Sequence, residues 1–202
     1  MLTSSDVRIA RHLSFAAVLR MLSPPRFRTR MSRGLAILSH GLESGPDASK
    51  VTALARAAAA AGWRSVRPDY LPFDRGRDEA AVSDRIAHLL AHVEPDVPLV
   101  LAGSSLGAFI SARASLAVAS VGLFLIAPPP RMQWFSQPLA AADVPTTIVH
   151  GWHDELIPVE PVLDFARARS ARVHLVDDTH RLTAHVEQCA EWFRQFLREL
   201  AV

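Results

Sequence analysis

Gly103-Ser104-Ser105-Leu106-Gly107 is the stretch that decides the fold of this chain. An apolar run over residues 97–102 precedes it and a helix-like run over residues 108–119 follows it, which predicts a strand, a very tight turn and a helix. Small residues at both ends of the turn let the two backbones crowd together, and the strained geometry would lift the Ser105 hydroxyl above the sheet edge. The pattern alone also fits an ordinary glycine-rich turn, so the rest of the chain has to decide between the two.

Outward from this turn, short apolar runs alternate with helix-like runs. The predicted strands cover residues 34–39, 64–67, 97–102, 121–126, 145–150 and 172–176. The predicted helices cover residues 48–61, with Asp47 as the N-cap, and 79–92, 108–119, 158–170 and 183–200. This alternation predicts an α/β fold with a six-stranded, mostly parallel sheet and helices on both of its faces.

Composition restricts the class of protein. The chain has 202 residues, of which 50% are hydrophobic and 21% are charged, and this suits one globular α/β domain. No run approaches the roughly 18 apolar residues of a membrane span, so no membrane partner is expected. Cys189 is the single cysteine, which rules out an internal disulfide and favours a reducing, cytoplasmic location.

Residues 1–30 differ from the rest of the sequence, because six arginines stand there against one acid, Asp6. We expect an N-terminal extension that packs poorly or is not native, with the folded domain in residues 31–202. A secretory signal and an organellar presequence are the two alternatives. Without this segment the chain has 16 basic and 19 acidic residues, so it shows no electrostatic footprint for nucleic acid.

Three residues follow predicted strands at the edge where parallel sheets bind ligands. Ser105 follows the third strand, Asp154 the fifth and His180 the sixth. A serine hydroxyl needs a base to remove its proton, an imidazole can accept and return that proton, and a carboxylate fixes the imidazole tautomer. The order Ser, Asp, His therefore predicts a nucleophilic catalytic triad.

Other histidines and aspartates fit the predicted triad less well. His150 is expected in the core, His153 in a loop near the site and His174 in a structural position, while His185 is an alternative base. Asp177 and Asp178 could replace Asp154 only if the chain order of the triad were broken. We expect a buried Cys189, no metal site, and no nucleotide site, because the glycines of residues 41–45 match no phosphate-binding motif.

With these motifs, the chain resembles the α/β-hydrolase superfamily over essentially all of residues 33–200. The motifs are His40-Gly41, the serine turn, residues 151–159 around Asp154, and Asp178-Thr179-His180. The resemblance implies an oxyanion hole made by the backbone N–H groups of Leu42 and Leu106. It implies neither a metal nor an organic cofactor.

The chain departs from larger members of that superfamily. It has no strand pattern ahead of Gly34, and the segment between Ala127 and Val144 is too short for a lid, so no cap domain is expected. It is similar to small dienelactone-hydrolase-like and carboxylesterase-like proteins, although dienelactone hydrolases use cysteine as the nucleophile.

The resemblance leads us to expect a serine hydrolase that cleaves an ester or thioester of a small soluble substrate through an acyl-enzyme. Met132 and Trp134 would either wall the acyl pocket or pack the loop after the fourth strand onto the core. An acyltransferase with the same triad and a non-enzymatic binding module are the alternatives. The natural substrate and the oligomeric state do not follow from the sequence.

Overall fold

Six strands and five α-helices, which alternate except between the fourth and fifth strands, lie in residues 32–202, the part of the chain that a computed structural model describes. The expectation for residues 1–30 lies outside the described residues. The strands are β1 Leu35–Ser39, β2 Arg64–Val66, β3 Leu99–Ser104, β4 Gly122–Ile126, β5 Thr146–Gly151 and β6 Arg172–Val176. The helices are α1 Ser49–Ala60, α2 Glu79–Leu90, α3 Leu106–Ala114, α4 Val159–Ala168 and α5 Val186–Glu199, with 3-10 turns at Leu71–Phe73 and Thr183–His185.

The strands form one sheet in the order β2-β1-β3-β4-β5-β6, and every neighbouring pair is parallel. The predicted α/β fold with a six-stranded sheet is therefore confirmed. Ser39 at the end of β1 is in register with Gly103 near the end of β3. This register brings the loop that follows β1 directly beside the serine turn.

The sheet divides the core into two layers because strand side chains alternate between its faces. One layer packs against α1 and α5, and the other packs against α2, α3 and α4. On β1, for example, Ala36 and Leu38 face the first layer while Leu35 and Ile37 face the second. All residues of β1, β3, β4 and β5 are buried, as expected for strands that are covered on both faces.

Two helix starts differ from the sequence-based prediction. Helix α3 begins at Leu106 and ends at Ala114, so Ser105 is the single residue between β3 and α3. Helix α1 has Ala48 as its N-cap with no side-chain cap, whereas Asp47 forms an ion pair with Arg67 at 3.2 Å. The prediction of Asp47 as the N-cap is wrong because the helix begins one residue later, with Ala48 in the cap position.

The segment between β4 and β5 forms no cap domain. Its regular structure is a single antiparallel bridge between Met132 and Phe135. The lidless architecture predicted from the length of this segment is confirmed. Within residues 32–202, none of the helices has the length and apolar character that a bilayer crossing requires.

Two glycines permit the tight turn at Ser105. A Cβ atom on Gly103 would lie 2.7 Å from the backbone nitrogen of Ala108 and would overlap the backbone of Gly107. A Cβ atom on Gly107 would overlap the carbonyl oxygens of Ser39 and His40. Since all of these obstacles are backbone atoms in buried elements, neither position can accept a side chain without moving β1, β3 or α3.

We expect the substitution Gly107→Ala to lower the free energy of unfolding by about 3 kcal/mol or more, because its methyl group would press on the end of β1. Gly45→Ala is the matched control, since a Cβ atom there meets nothing nearer than Leu71 Cδ1 at 3.6 Å. Urea unfolding of the two variants measures the difference. Equal stability of the two variants would contradict this account of the turn.

Candidate active site

The backbone of Ser105 is held in a strained conformation with φ 55° and ψ −123°. A non-glycine residue in this region costs about 1–3 kcal/mol and persists only where the surroundings enforce it. Here the Ser105 N–H donates to the carbonyl of Ile126 at 2.8 Å, and the Ser105 carbonyl accepts from Ala108 N–H at 2.9 Å. The neighbouring strand β4 and the helix after the turn thus fix the serine from both sides.

Ser105, His180 and Asp154 form a continuous hydrogen-bonded chain. The Ser105 hydroxyl lies 3.0 Å from His180 Nε2, and His180 Nδ1 donates to Asp154 Oδ2 at 2.8 Å. Because a carboxylate can only accept, the proton of the neutral imidazole resides on Nδ1, which leaves Nε2 free to receive the serine proton. The structure brings together the three residues that the sequence singled out.

The Asp154 side chain is fully buried and held by four contacts. Besides His180, its Oδ1 accepts backbone N–H bonds from Leu156 at 3.0 Å and Ile157 at 2.8 Å, and His150 Nε2 lies 3.5 Å from its Oδ2. Burial alone would raise the pKa of Asp154, but the hydrogen bonds from His180, Ile157 and Leu156 outweigh burial and lower it. The acid therefore stays ionised behind the imidazole.

The loop that holds His180 is fastened to its neighbours by backbone contacts. His180 N–H donates to the Glu155 carboxylate at 3.2 Å, and Asp178 Oδ2 accepts from Ala184 N–H at 3.1 Å and from His185 Nδ1 at 2.9 Å. Gly151 lets this loop approach β5, since a Cβ atom there would overlap the carbonyl oxygen of Asp178. These contacts set the position of the imidazole before any substrate arrives.

His40 fastens the loop after β1 as a neutral imidazole. Its Nδ1–H donates to the carbonyl of Gly41 at 2.8 Å, and its Nε2 accepts the backbone N–H of Tyr70 at 2.9 Å. Ser44 Oγ adds a second donor to the Gly41 carbonyl at 3.0 Å. Burial lowers the pKa of His40, and the Arg85 guanidinium lowers it further, against the opposing hydrogen bond to Gly41.

A buried ion pair holds the far side of the same loop. Asp74 pairs with Arg85, and their side chains are only 10% and 1% exposed. The other carboxylate oxygen of Asp74 accepts Glu43 N–H at 3.0 Å, where Glu43 has a left-handed φ of 55°. Leu42 thus lies between two anchored residues, Gly41 and Glu43. Sequence reasoning missed Asp74, the anchor of Glu43, and Arg85, the partner of Asp74.

The loop after β1 lies against the serine. A Cβ atom on Gly41 would sit 3.3 Å from the Ser104 carbonyl oxygen and 3.5 Å from Ser105 Cβ. Leu106 follows Ser105 in the chain, and Leu42 lines the same cavity as Ser105. The role of their backbone N–H groups as oxyanion donors stays a prediction.

A cavity of about 610 Å³ opens to solvent above Ser105. Its walls come from the loop after β1, the first turn of α1 and the loop around His180, and they include Leu42, Lys50 and Arg181. A second, more apolar cavity of about 480 Å³ lies across Leu156, which lines both. Proline, leucine and phenylalanine side chains supply most of its wall.

Met132 and Trp134 line neither cavity. Both are half-buried and pack against the core layer formed with α2, α3 and α4. The structure therefore gives no support to their assignment as walls of an acyl pocket, and their position corresponds to the packing alternative. The antiparallel bridge from Met132 to Phe135 turns this segment back onto the core.

The remaining histidines have other partners. His150 is fully buried and donates from Nε2 to the Ile157 carbonyl at 3.0 Å, which confirms its expected core position. His153 is exposed and pairs with Asp177 at 2.8 Å, while the ring of His174 stacks on Trp192. His185 contacts Asp178 and not Ser105.

Cys189 is buried, as predicted, and burial raises its pKa to about 11, so it is no candidate nucleophile. In the described residues, no group of three or more histidine, cysteine, aspartate or glutamate side chains is arranged to hold a metal ion.

No protein-family model and no curated protein matches the chain. Several solved structures do match it. A protein from Xanthomonas campestris pv. campestris, assigned to the alpha/beta hydrolase superfamily, is 50% identical, with a TM-score of 0.80 over 84% of this chain and 100% of that one.

Two further structures are less similar in sequence. An alpha-beta serine hydrolase homologue from Coxiella burnetii is 24% identical, with a TM-score of 0.64 over 84% of this chain and 88% of that one. A serine hydrolase without a lid from Xanthomonas campestris is 23% identical, with a TM-score of 0.66 over 88% of this chain and 87% of that one. These two show the shared fold.

The lowered pKa of His40 predicts a pH dependence of stability. The unfolded chain binds a proton at this residue below pH ~6.5, whereas folded His40 does not until the pH reaches its lower folded value. The free energy of unfolding should therefore fall as the pH drops below ~6.5, by up to ~1.4 kcal/mol per pH unit from this residue, until the lower folded pKa is reached. Urea unfolding at pH 7.5 and 5.5 measures this loss.

His40→Gln should lose less stability between the two pH values than the unsubstituted chain does. Ser44→Ala loosens the same loop without removing a titrating group, so it should keep the full pH dependence. A pH dependence that is the same in His40→Gln and in the unsubstituted chain would contradict the neutral role of His40.

Proposed function

Because the chain belongs to the α/β-hydrolase superfamily, we propose that it is a serine hydrolase that cleaves an ester or thioester of a small substrate through an acyl-enzyme. The observation that supports this most directly is the unbroken chain from the Ser105 hydroxyl through His180 to Asp154, with links of 3.0 and 2.8 Å. A nucleophile, a base and a group that orients the base are all within hydrogen-bonding reach.

In the proposed first step, Ser105 Oγ attacks the substrate carbonyl carbon while its proton passes to His180 Nε2. Asp154 stabilises the imidazolium that forms, and the negative charge moves to the former carbonyl oxygen. The C–O or C–S bond then breaks, the leaving group takes the proton from His180 Nε2, and an acyl ester remains on Ser105. A water molecule repeats the sequence in the second step and releases the acid.

The backbone N–H groups of Leu42 and Leu106 are the proposed donors to the oxyanion. Such donors contribute most when they are fixed before the reaction, because no reorganisation is then needed as charge develops. The anchors on Gly41 and Glu43 meet this requirement for Leu42, and the start of α3 meets it for Leu106.

Hydrolysis is favoured over transfer to another acceptor by the open site. No cap covers Ser105 in the described residues, and the His180 side chain retains 12% exposure. Water therefore reaches the acyl-enzyme freely. The open cavity of about 610 Å³ also suits a small substrate better than a long lipid chain.

The triad is tested with a fluorophosphonate probe and 4-nitrophenyl butyrate. We expect the probe to label Ser105 in the folded chain and Asp154→Asn to reduce kcat/KM by about 10⁴-fold, because the imidazole would adopt the wrong tautomer. Asp177→Asn is the matched control, since that exposed carboxylate pairs with His153 in the neighbouring loop.

Heat-denatured protein and Ser105→Ala should remain unlabelled. If the folded chain is not labelled either, the non-enzymatic binding module is the better interpretation. If the two aspartate variants lose activity equally, the role proposed for Asp154 is wrong.

The open site also predicts a preference for short acyl chains. We expect kcat/KM to be higher for 4-nitrophenyl acetate and butyrate than for the dodecanoate and palmitate, because a long chain would remain largely exposed to water. Release of 4-nitrophenolate below the critical micelle concentration of each ester measures this. A clear preference for the long chains would show that the apolar cavity beyond Leu156 continues the binding site.

A further inference from the structure

Lys50 is the only lysine among the 22 basic residues of the chain, and it lines the cavity above Ser105. It stands in the first turn of α1, and its Nζ donates to the backbone carbonyl of Arg181 at 2.7 Å. Arg181 follows His180 directly and lines the same cavity. Two cationic side chains from distant parts of the sequence are therefore present in the wall of one small site.

The carboxylates around this cavity are already engaged. Glu43 pairs with Arg77, Asp154 with His180, and Asp178 with His185. Within residues 32–202, neither Lys50 nor Arg181 has a carboxylate oxygen within 4.0 Å. The described part of the chain thus gives these two cations no direct counter-ion.

The environment of the Lys50 ammonium group favours the binding of an anion. Burial lowers the pKa of its ammonium group, and the Arg181 guanidinium lowers it further, against the attraction of Asp178 and Asp154. One of its three N–H donors contacts the Arg181 carbonyl, so two remain for other acceptors. A partly desolvated donor of this kind forms stronger bonds to a charged acceptor than an exposed lysine does.

Residues 31–202 have 19 acidic and 16 basic residues. Within this part of the chain the two cations of the cavity stand against a slight excess of acidic residues, and they attract anions to the cavity. The cavity lies beside the proposed nucleophile.

We propose that the site takes a substrate that bears a negatively charged group near the scissile ester or thioester, and that Lys50 and Arg181 bind this group. The inference rests on the proposed hydrolase function and narrows its substrate class. The two cations act as specificity-determining residues, while the chemistry stays with Ser105, His180 and Asp154.

Matched substrate pairs test the proposal and distinguish the two ends of the substrate. Mono(4-nitrophenyl) adipate and 4-nitrophenyl hexanoate differ by a carboxylate on the acyl side. The pair 4-acetoxybenzoate and 4-acetoxybenzamide differs by a carboxylate on the leaving group. We expect kcat/KM to be about tenfold higher or more for the anionic member of at least one pair, and this preference to weaken as salt is added.

Lys50→Met should lower that preference by about tenfold or more, and Lys50→Arg should retain most of it because the charge remains. Arg181→Met should lower it too, and this exposed side chain can be changed while its backbone carbonyl stays in place. Arg198→Met is the control for charge alone, since Arg198 is exposed in the last turn of α5, at the opposite end of the sheet. It should leave the preference unchanged.

Two outcomes would overturn the inference about an anionic substrate and leave the proposed hydrolase function intact, provided that the probe still labels Ser105. One is equal kcat/KM for both members of both pairs. The other is an equal loss for the anionic and neutral esters in Lys50→Met, which would show that Lys50 acts only through the Arg181 carbonyl as a fastening for the His180 loop. Absence of both labelling and ester cleavage in the unsubstituted chain would instead overturn the proposed hydrolase function.

Discussion

The close approach of three backbones at the serine turn is the constraint on which the rest of the site depends. Gly103 and Gly107 bring β3 and α3 into contact, and Gly107 also rests against the carbonyls of Ser39 and His40 at the end of β1. This contact holds Ser105 in its strained conformation. The favourable packing of the buried strands β1 and β3 offsets the cost of the strain. The same backbone packing therefore positions both Ser105 and the loop after β1.

The parts of this structure that follow from the sequence are those fixed by short-range patterns. Strand and helix order follow from apolar periodicity, and parallel topology then places the ends of β3, β5 and β6 at one edge. That is sufficient to bring Ser105, Asp154 and His180 together. Helix limits were less predictable. Ser115, just after α3, accepts Ala142 N–H from a distant loop, and α1 begins after Ala48 without a side-chain cap, so no capping residue marks its start in the sequence.

The parts that do not follow from the sequence depend on pairing between residues far apart in the chain. Lys50 meets the carbonyl of Arg181 across 131 positions, and Asp74 reaches back to Glu43 across 31. Neither pair has a spacing or motif that would reveal it. Met132 and Trp134 show a different difficulty. Apolar residues after a strand have the same sequence pattern whether they line a cavity or, as these two do, pack on the core.

Three imidazoles near the site show how partners decide what a side chain does. His40 and His150 are buried and donate to backbone carbonyls, and His40 also accepts a backbone N–H. Backbone groups do not exchange protons with an imidazole at neutral pH. Burial lowers the pKa of both rings, and for His150 it outweighs the Asp154 carboxylate 3.5 Å away, so both remain neutral supports. His180 instead lies between a carboxylate and a hydroxyl. A carboxylate stabilises an imidazolium and a serine hydroxyl can give up a proton, so this environment supports the acid–base role proposed for His180.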